Sequence, residues 1–526
     1  MSAIASEAPR RSWRPPAAVL GVLAILAVWE LSARALAGAY LLAGPSDVTA
    51  YLWQNAGLMG RALRATLAEA AAGFVIGNAA AILLAALALL WPRAERGIAA
   101  LALLVFCLPL VATGPILRVL FGPGPGPQIT LAALAVYYTT LVPLLVGLRA
   151  APSTWFDLVH SYGRGRLAEL WHIRAMAALP YLFAGLQIAA PAAFLGAMVG
   201  EFTGAERGMG VLTIRAMRAL DVEATWALAA VAALVSMAAY GAFGWLARRV
   251  LTEAPPVILA APGGAVTPRR GEGLARIAVV TVLALALWWG LLEAFGVNAF
   301  FAKRPDDVWA FLLTAPDAGE NRATLFGALA ETAVYVLPGY LAGLALGAGL
   351  AVLLTLLPAL AGAAMPVAIA LRSVPIVTTA PPIVLVLGRG ATGTVALVAV
   401  MVFFPTLIAC LHGLRQAPGQ VLDVFDAYAS GRWRRLVHAQ VPAMWPAFFA
   451  AARIAVPAAV LAVTVVEWLA TGRGVGALMA LSASLSDYGM LWSAVVVVAV
   501  LSCALYAVVA AVEARVLAIY AAEQGR

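Results

Sequence analysis

A single lysine, Lys303, occurs in the 526 residues, and Ala302 stands before it. A phosphate-cradling loop of the form G-x-x-x-x-G-K-[ST] needs a lysine that reaches the β- and γ-phosphates, so the chain has no such means of hydrolysing a nucleoside triphosphate. Cysteine is almost as scarce. Cys107, Cys410 and Cys503 stand in separate apolar stretches without a C-x-x-C pair, which points to packing rather than redox or metal chemistry. The four histidines, His160, His172, His412 and His438, have no metal-ligand spacing, and no Ser/His/Asp set stands out. No metal site, no catalytic residue and no cofactor of the chain's own is therefore expected, and it reads as a non-enzyme.

Charge is the largest deficit. Charged residues make up 11% of the chain and hydrophobic ones 64%, with a mean hydropathy of +0.95, whereas soluble domains carry about a quarter charged residues. That excludes a soluble globule and makes this an integral membrane protein. The net charge of +9 comes from arginines scattered between apolar runs. They form no basic stripe with interleaved aromatics, so nucleic acid is not an expected partner.

What is present is a succession of apolar runs near the 20 or so residues that a spanning helix requires. They fall near 17–38, 66–91, 97–121, 128–150, 178–203 and 224–247, then near 274–296, 325–357, 360–387, 391–413, 443–470 and 490–513. The expectation is an all-α membrane protein with about twelve transmembrane helices. Arginines in alternate loops, including Arg10, Arg11, Arg164, Arg166, Arg248, Arg249, Arg432 and Arg434, put those loops and both termini on the cytoplasmic side. The first run is preceded by "RRSWRPP" and could pass for a cleaved signal. Its counterpart in mid-chain, "WWGLLEAFGVNAFFAKRPDDV" at 288–308 against "VWELSARALAGAYLLAGPSDV" at 28–48, argues for a retained helix.

That counterpart belongs to a repeat of the whole chain. The offset is 260 up to Pro45/Pro305 and 266 from Thr66/Thr332 onward, through Gly73/Gly339, Pro115/Pro381, Glu201/Glu467, Gly210/Gly476 and Trp226/Trp492. Six spans in each half give two parallel six-helix repeats, 1–250 and 274–526, related by an axis along the membrane normal. The Pro- and Gly-rich 251–273 reads as a cytoplasmic linker.

Between the fourth and fifth span of each half lies a polar segment, "DLVHSYGRGRLAELWHIRAM" at 157–176 and "DVFDAYASGRWRRLVHAQVP" at 423–442. Val424, Tyr428, Trp433, Leu436, Val437 and Val441 recur at helical spacing opposite Asp426, Arg434, Arg435 and His438. Gly165 and Gly431 stand where a helix–turn–helix would bend. Periodicity allows either an amphipathic helix resting on lipid headgroups or a knob docked into another protein.

The segment resembles the EAA loop of bacterial ABC-importer permeases, through Asp157, Gly163 and Ile173 in the first half and Asp423, Val441 and Pro442 in the second. "PSDV" at 45–48, "TLAEAAAGFVIG" at 66–77, "LPLVATGPI" at 108–116, "VPIVTTAPPI" at 374–383, and "RGMGVL" and "RGVGAL" at 207–212 and 473–478 are similar to the nitrate/sulfonate/taurine branch of that family. Some positions depart from the pattern: Asp replaces Glu at 157 and 423, Ala429 stands for glycine, and Met176 stands for proline. The resemblance implies a coupling helix in each half, formed around Asp157, Tyr162, Gly163, Gly165 and Arg166 and around Asp423, Tyr428, Gly431, Arg432, Arg434 and Arg435. It further implies two cytoplasmic ATPase subunits that use ATP and Mg, an extracytoplasmic substrate-binding protein, one copy of this chain per complex, and residence in the bacterial inner membrane. Charges within spans are suspected of function, so Glu201, Glu467 and Arg372 are candidates for the translocation path, unless they sit at the interface or snorkel. Pro109, Pro115, Pro375 and Pro381, which interrupt the third span of each half, join them. A secondary transporter of the major-facilitator type would also have twelve spans, but its signature loop belongs after the second span, where "WPRAERG" at 91–97 is a faint echo.

Overall fold

The computed structural model describes residues 17–39, 41–91, 94–251, 272–357, 376–388 and 390–520, and among them there is no strand. Eight helical segments are long and apolar enough to cross a membrane. In the first half they are α3 (Ala56–Leu90), α6 (Gly126–Gly147), α9 (Ala175–Phe202, entered through a turn that begins at Leu170) and α11 (Val222–Val250). In the second they are α14 (Ala318–Leu356), α16 (Ala391–Arg415), α19 (Val441–Val466, with short helical flanks) and α21 (Tyr488–Tyr520). The expected spans near 17–38 and 274–296 coincide with α1 (Ala17–Ala35) and α12 (Glu272–Ala294), which are not among the eight. The expected span at 360–387 is described only from α15 (Ile376–Leu387) onward, and Arg372, Pro375 and residues 252–271 of the linker lie outside the described residues.

The third span of the first half departs from expectation. Instead of one helix over 97–121, α4 (Glu95–Phe106) and α5 (Leu110–Phe121) meet at 92°. Each has 12 residues, about 18 Å of helix against a hydrocarbon core of about 30 Å, so neither crosses alone. Pro109 is the cause. Its ring and missing N–H cannot continue α4, and at φ −71°, ψ 102° it caps α5 instead.

Much of the repeat survives in space residue for residue. α5 and α15 begin and end 266 positions apart, as do α7 (Ser153–Ser161) and α17 (Gly419–Ala427), and α8 (Arg166–Glu169) and α18 (Arg432–Arg435). In each half a central helix packs between two others: α6 between α3 and α9, and α16 between α14 and α19. Gly147 and Gly413 permit the approach, since a Cβ at either would lie 2.7 Å from the Tyr181 Cβ or 2.9 Å from the Ala447 Cβ.

The halves are joined reciprocally. α5 packs against α19, α20 (Gly474–Ser484) and α21, while α15 packs against α9, α10 (Met209–Ala219) and α11. Val111, Val199 and Phe202 of the first half share an apolar cluster with Leu344, Val384, Val463 and Val466 of the second. Because Phe202 ends α9 and Val466 ends α19, both helices bring the same end to this seam, and the polar segments that precede both helices lie at the other end of the bundle.

Candidate functional site

The two polar segments form matching knobs. Pro152 and Pro418 precede α7 and α17, and each helix closes on a left-handed residue, Gly163 at φ +63° or Ala429 at φ +49°. The closing bonds follow one pattern. Gly163 N donates to His160 O and Arg164 N to Val159 O in the first knob, Ala429 N to Asp426 O and Ser430 N to Phe425 O in the second. This corrects the placing of the bend at Gly165 and Gly431. Gly431 is extended at φ −63°, ψ 153° and caps α18, a conformation open to any residue, and Gly165 has no positive φ. The left-handed demand falls two residues earlier.

A polar side-chain contact closes each turn. His160 Nε2 lies 2.5 Å from Glu169 Oε1, and Arg435 NH1 lies 3.1 Å from Asp426 Oδ1. One wide π-helical turn, Leu170–Arg174 or Leu436–Gln440, then leads into α9 or α19. Ile173 and Leu436 are buried there. Arg174 fastens the first knob to the end of α6 by donating to Leu148 O at 3.2 Å, with its guanidinium 4.7 Å above the Phe156 ring. Leu436 apart, most of the apolar stripe points outward. Tyr162 and Tyr428 are 77% and 81% exposed, and Trp155, Leu158, Trp171, Val424 and Trp433 are exposed as well. Asp157, Asp423, Arg432 and Arg434 are also exposed, and Arg166 opens α8. The structure thus brings the expected coupling residues of each half together on one protrusion.

Glu201 and Glu467 occupy a different environment. Both are buried, each at the far end of the helix that its knob begins. Thr66 Oγ1 on α3 donates to Glu201 Oε1 at 2.5 Å, Gly210 N donates to Oε2, and Met209 N donates to Thr66 Oγ1 at 2.9 Å. Thr332, Glu467, Gly476 and Val475 repeat the arrangement: Thr332 Oγ1 donates to Glu467 Oε2 at 3.1 Å, Gly476 N to the same oxygen at 2.9 Å, and Val475 N to Thr332 Oγ1 at 2.9 Å. The first turn of α10 or α20 leaves amides that its own helix cannot satisfy, and the carboxyl and the threonine take them up. Each glutamate therefore brackets three helices together. It also accounts for the glycines of "RGMG" and "RGVG". Gly208 and Gly474 sit at φ +130° and +83°, and a Cβ at either would overlap the carboxyl.

Three further charges within spans escaped the sequence reading, although the rule that singled out Glu201 applies to them equally. Arg453 on α19 pairs with Glu513 on α21 at 2.9 Å, both largely buried, and its guanidinium lies 5.8 Å from the Tyr506 ring centroid. The first half has Gln187 and Ala247 at these places. Glu69, on α3, is buried beside the Glu201 bracket. Of the prolines, Pro109 caps α5, Pro115 lies within it, and Pro381 falls within α15, at the seam between the halves.

The family described as "Binding-protein-dependent transport system inner membrane component" matches residues 77–252 and 339–518. A "Probable ABC transporter permease protein" of Haemophilus influenzae is 28% identical over 237 residues, 45% of this chain and 96% of that protein. The formylaminopyrimidine transport permease protein ThiX of Halalkalibacterium halodurans is 28% identical over 213 residues, 40% of this chain and 85% of its own. The taurine transport system permease protein TauC of Escherichia coli is 26% identical over 197 residues, 37% and 69% respectively. No solved structure matches. These relatives each align with less than half of this chain, and none of the matches is to a major-facilitator protein. The chain is a multi-pass membrane protein of the binding-protein-dependent transport inner-membrane family, and it holds two of that family's units in tandem.

Proposed function

We propose that this chain forms the complete membrane pathway of an ATP-driven importer, with a cytoplasmic ATPase subunit seated on each knob and an extracytoplasmic binding protein delivering a small solute at the opposite end. The observation that carries the reading is the pair of knobs. Each is a short helix–turn–helix closed by a polar side-chain contact, with large apolar side chains such as Tyr162, Trp171, Tyr428 and Trp433 left outside the fold, and it continues through one turn into a helix that reaches the seam. A push on the knob is thereby delivered along one continuous helix to the contact between the halves. ATP and Mg belong to the partner, because the chain lacks a phosphate loop. Both termini are cytoplasmic in this arrangement. The solute class follows the relatives, whose names specify taurine and formylaminopyrimidine, and the binding protein sets the choice among such compounds.

The test is reconstitution. The purified chain alone should hydrolyse no ATP and should acquire hydrolysis on addition of its ATPase; hydrolysis by the isolated chain, free of contaminants, refutes the assignment. Cysteines replacing Tyr162 and Tyr428 should cross-link to the ATPase, and charge reversal at Arg434 with Arg435 should lower transport-coupled hydrolysis while membrane insertion is kept. Protection of both cysteines by lipid instead would restore the headgroup reading. Native mass spectrometry of the active complex should find one copy of this chain, and a homodimer would contradict the fused-pathway reading.

A further inference from the structure

Two of the chain's three cysteines come from opposite halves and meet in the fold. Cys107 follows α4 at the elbow, two residues before Pro109, and is 2% exposed. Cys503 lies midway along α21, which packs against both α4 and α5. The Cys107 thiol faces the Cys503 thiol. On one side of the pair, Leu108, Ala112 and Ile116 share an apolar cluster with Met490, Leu491, Val495 and Val498, so successive turns of the last span of the second half lie along the elbow of the first. On the other side, Phe106 stacks on Tyr138 with ring centroids 4.3 Å apart, and the Tyr137 hydroxyl donates to Ala102 O on α4. Packing from both directions therefore fixes where the Cys107 sulfur stands.

A buried cysteine commonly serves as a small apolar residue. Cys410 does so, enclosed by Leu411, Leu414, Leu436 and Met444 of its own half. Cys107 and Cys503 differ in that each has a thiol for a neighbour, and both are free. A disulfide needs Cβ atoms about 3.8 Å apart, a spacing that two facing thiols reach with little movement of the backbone. The repeat puts Ser373 and Met237 at the equivalent positions, so the reciprocal contact between the halves has no such pair. Both cysteines stand within apolar segments, and an oxidant must enter those surroundings to reach them. Hydrogen peroxide, small and uncharged, meets that requirement.

We propose that Cys107 and Cys503 are the site of a reversible disulfide that ties the elbow of the first half to the last span of the second and holds the halves in one arrangement. The oxidant is a peroxide. The Cys503 sulfur, the more exposed of the two, loses its proton and attacks one peroxide oxygen; the O–O bond breaks and water leaves, with a sulfenic acid formed on Cys503. The Cys107 sulfur then attacks the Cys503 sulfur, the S–O bond breaks, and a second water leaves as the S–S bond forms. The two thiols give up two electrons and two protons in all, and hydrogen peroxide becomes two waters. A dithiol undoes the tie by exchange. The chemistry stands by itself, whereas its effect on transport rests on the importer reading above.

The test uses the full chain with its ATPase in nanodiscs, treated with hydrogen peroxide. Digestion without reductant followed by mass spectrometry should find the peptides of Cys107 and Cys503 joined, and dithiothreitol should separate them. Hydrolysis stimulated by the exported binding protein should fall about ten-fold on oxidation, because the halves can no longer move apart, and should return with dithiothreitol. Cys107→Ser and Cys503→Ala, each made alone, should keep the untreated rate and lose the response to peroxide, whereas Cys410→Ala should respond as wild type does. Peptides that stay unjoined, whether unaltered or oxidised only to sulfenic or sulfinic acid, refute the disulfide. A joined pair with unchanged hydrolysis, or a response that persists in both single variants, refutes the tie and leaves the importer reading standing. If no exported binding protein stimulates the untreated wild-type complex, the importer reading falls, and the peptide map still decides the disulfide.

Discussion

Where the first knob has His160 and Glu169, the second has Asp426 and Arg435, and each pair bridges the same two helical turns. The acidic partner changes helix and the contact is kept. At the next level of the fold the opposite holds: the Thr–Glu brackets at Glu201 and Glu467 use the same residue types and the same backbone amides in both halves. The contrast follows from exposure. An ion pair at the surface requires opposite charges and is indifferent to which helix carries which, because water solvates either arrangement. A buried carboxyl facing two fixed donors has no such freedom, since reversing its partners would leave an amide and a hydroxyl unsatisfied. Arg453 and Glu513 show a third case, a buried pair present in one half and replaced together by Gln187 and Ala247 in the other.

That third case offers the largest expected effect. Arg453→Gln leaves Glu513 without its counter-charge in a largely buried place and should destabilise the protein by about 3 kcal/mol. Adding Glu513→Ala, which installs the residues of the first half, should recover most of the loss. Thermal unfolding in detergent reads both, and a double variant no better than the single would show that the pair is not a self-contained exchange. Next in size, Glu201→Ala and Glu467→Ala should each cost about 2 kcal/mol, by orphaning the donors they accept from, and the two losses should match. A large mismatch would break the equivalence of the brackets.

Smaller still is the difference at the knob turns. Ala429 holds a left-handed conformation that Gly163 holds without penalty, so Ala429→Gly should stabilise by about 1 kcal/mol and Gly163→Ala should destabilise by about as much. Hydrogen exchange confined to the knobs would detect the shift if global unfolding does not. The smallest effect is expected at the surface pair. Exchanging Asp426→His together with Arg435→Glu, which installs at the second knob the pair that the first knob carries, should alter stability by less than about 0.5 kcal/mol. Thermal unfolding in detergent reads it, and a clearly larger loss would show that the two pairs are not interchangeable.

Much of this was legible in the chain because it depends on spacing alone. The apolar runs, the 266-residue repeat, the knobs and the Asp157/Asp423 pattern are periodic or short-range features, and a membrane makes such features decisive by forbidding unsatisfied backbone in hydrocarbon. Proline at 109 marked an interruption, but a one-dimensional hydropathy profile has no term for angle, so two helices meeting at 92° read as one span. The bend in each knob was placed at Gly165 and Gly431 because glycine is the usual sign of one. In the second knob the left-handed position is filled by alanine, and composition is silent there.

The sequence by itself determined that this is a membrane protein of two like halves, each with one exposed polar protrusion. Only the tertiary structure decided what the isolated charges do. Thr66 and Glu201 are 135 residues apart, and Arg453 and Glu513 lie on different helices. Whether such a charge becomes a bracket or a buried pair depends on which donors and acceptors the folding of distant helices brings within about 3 Å.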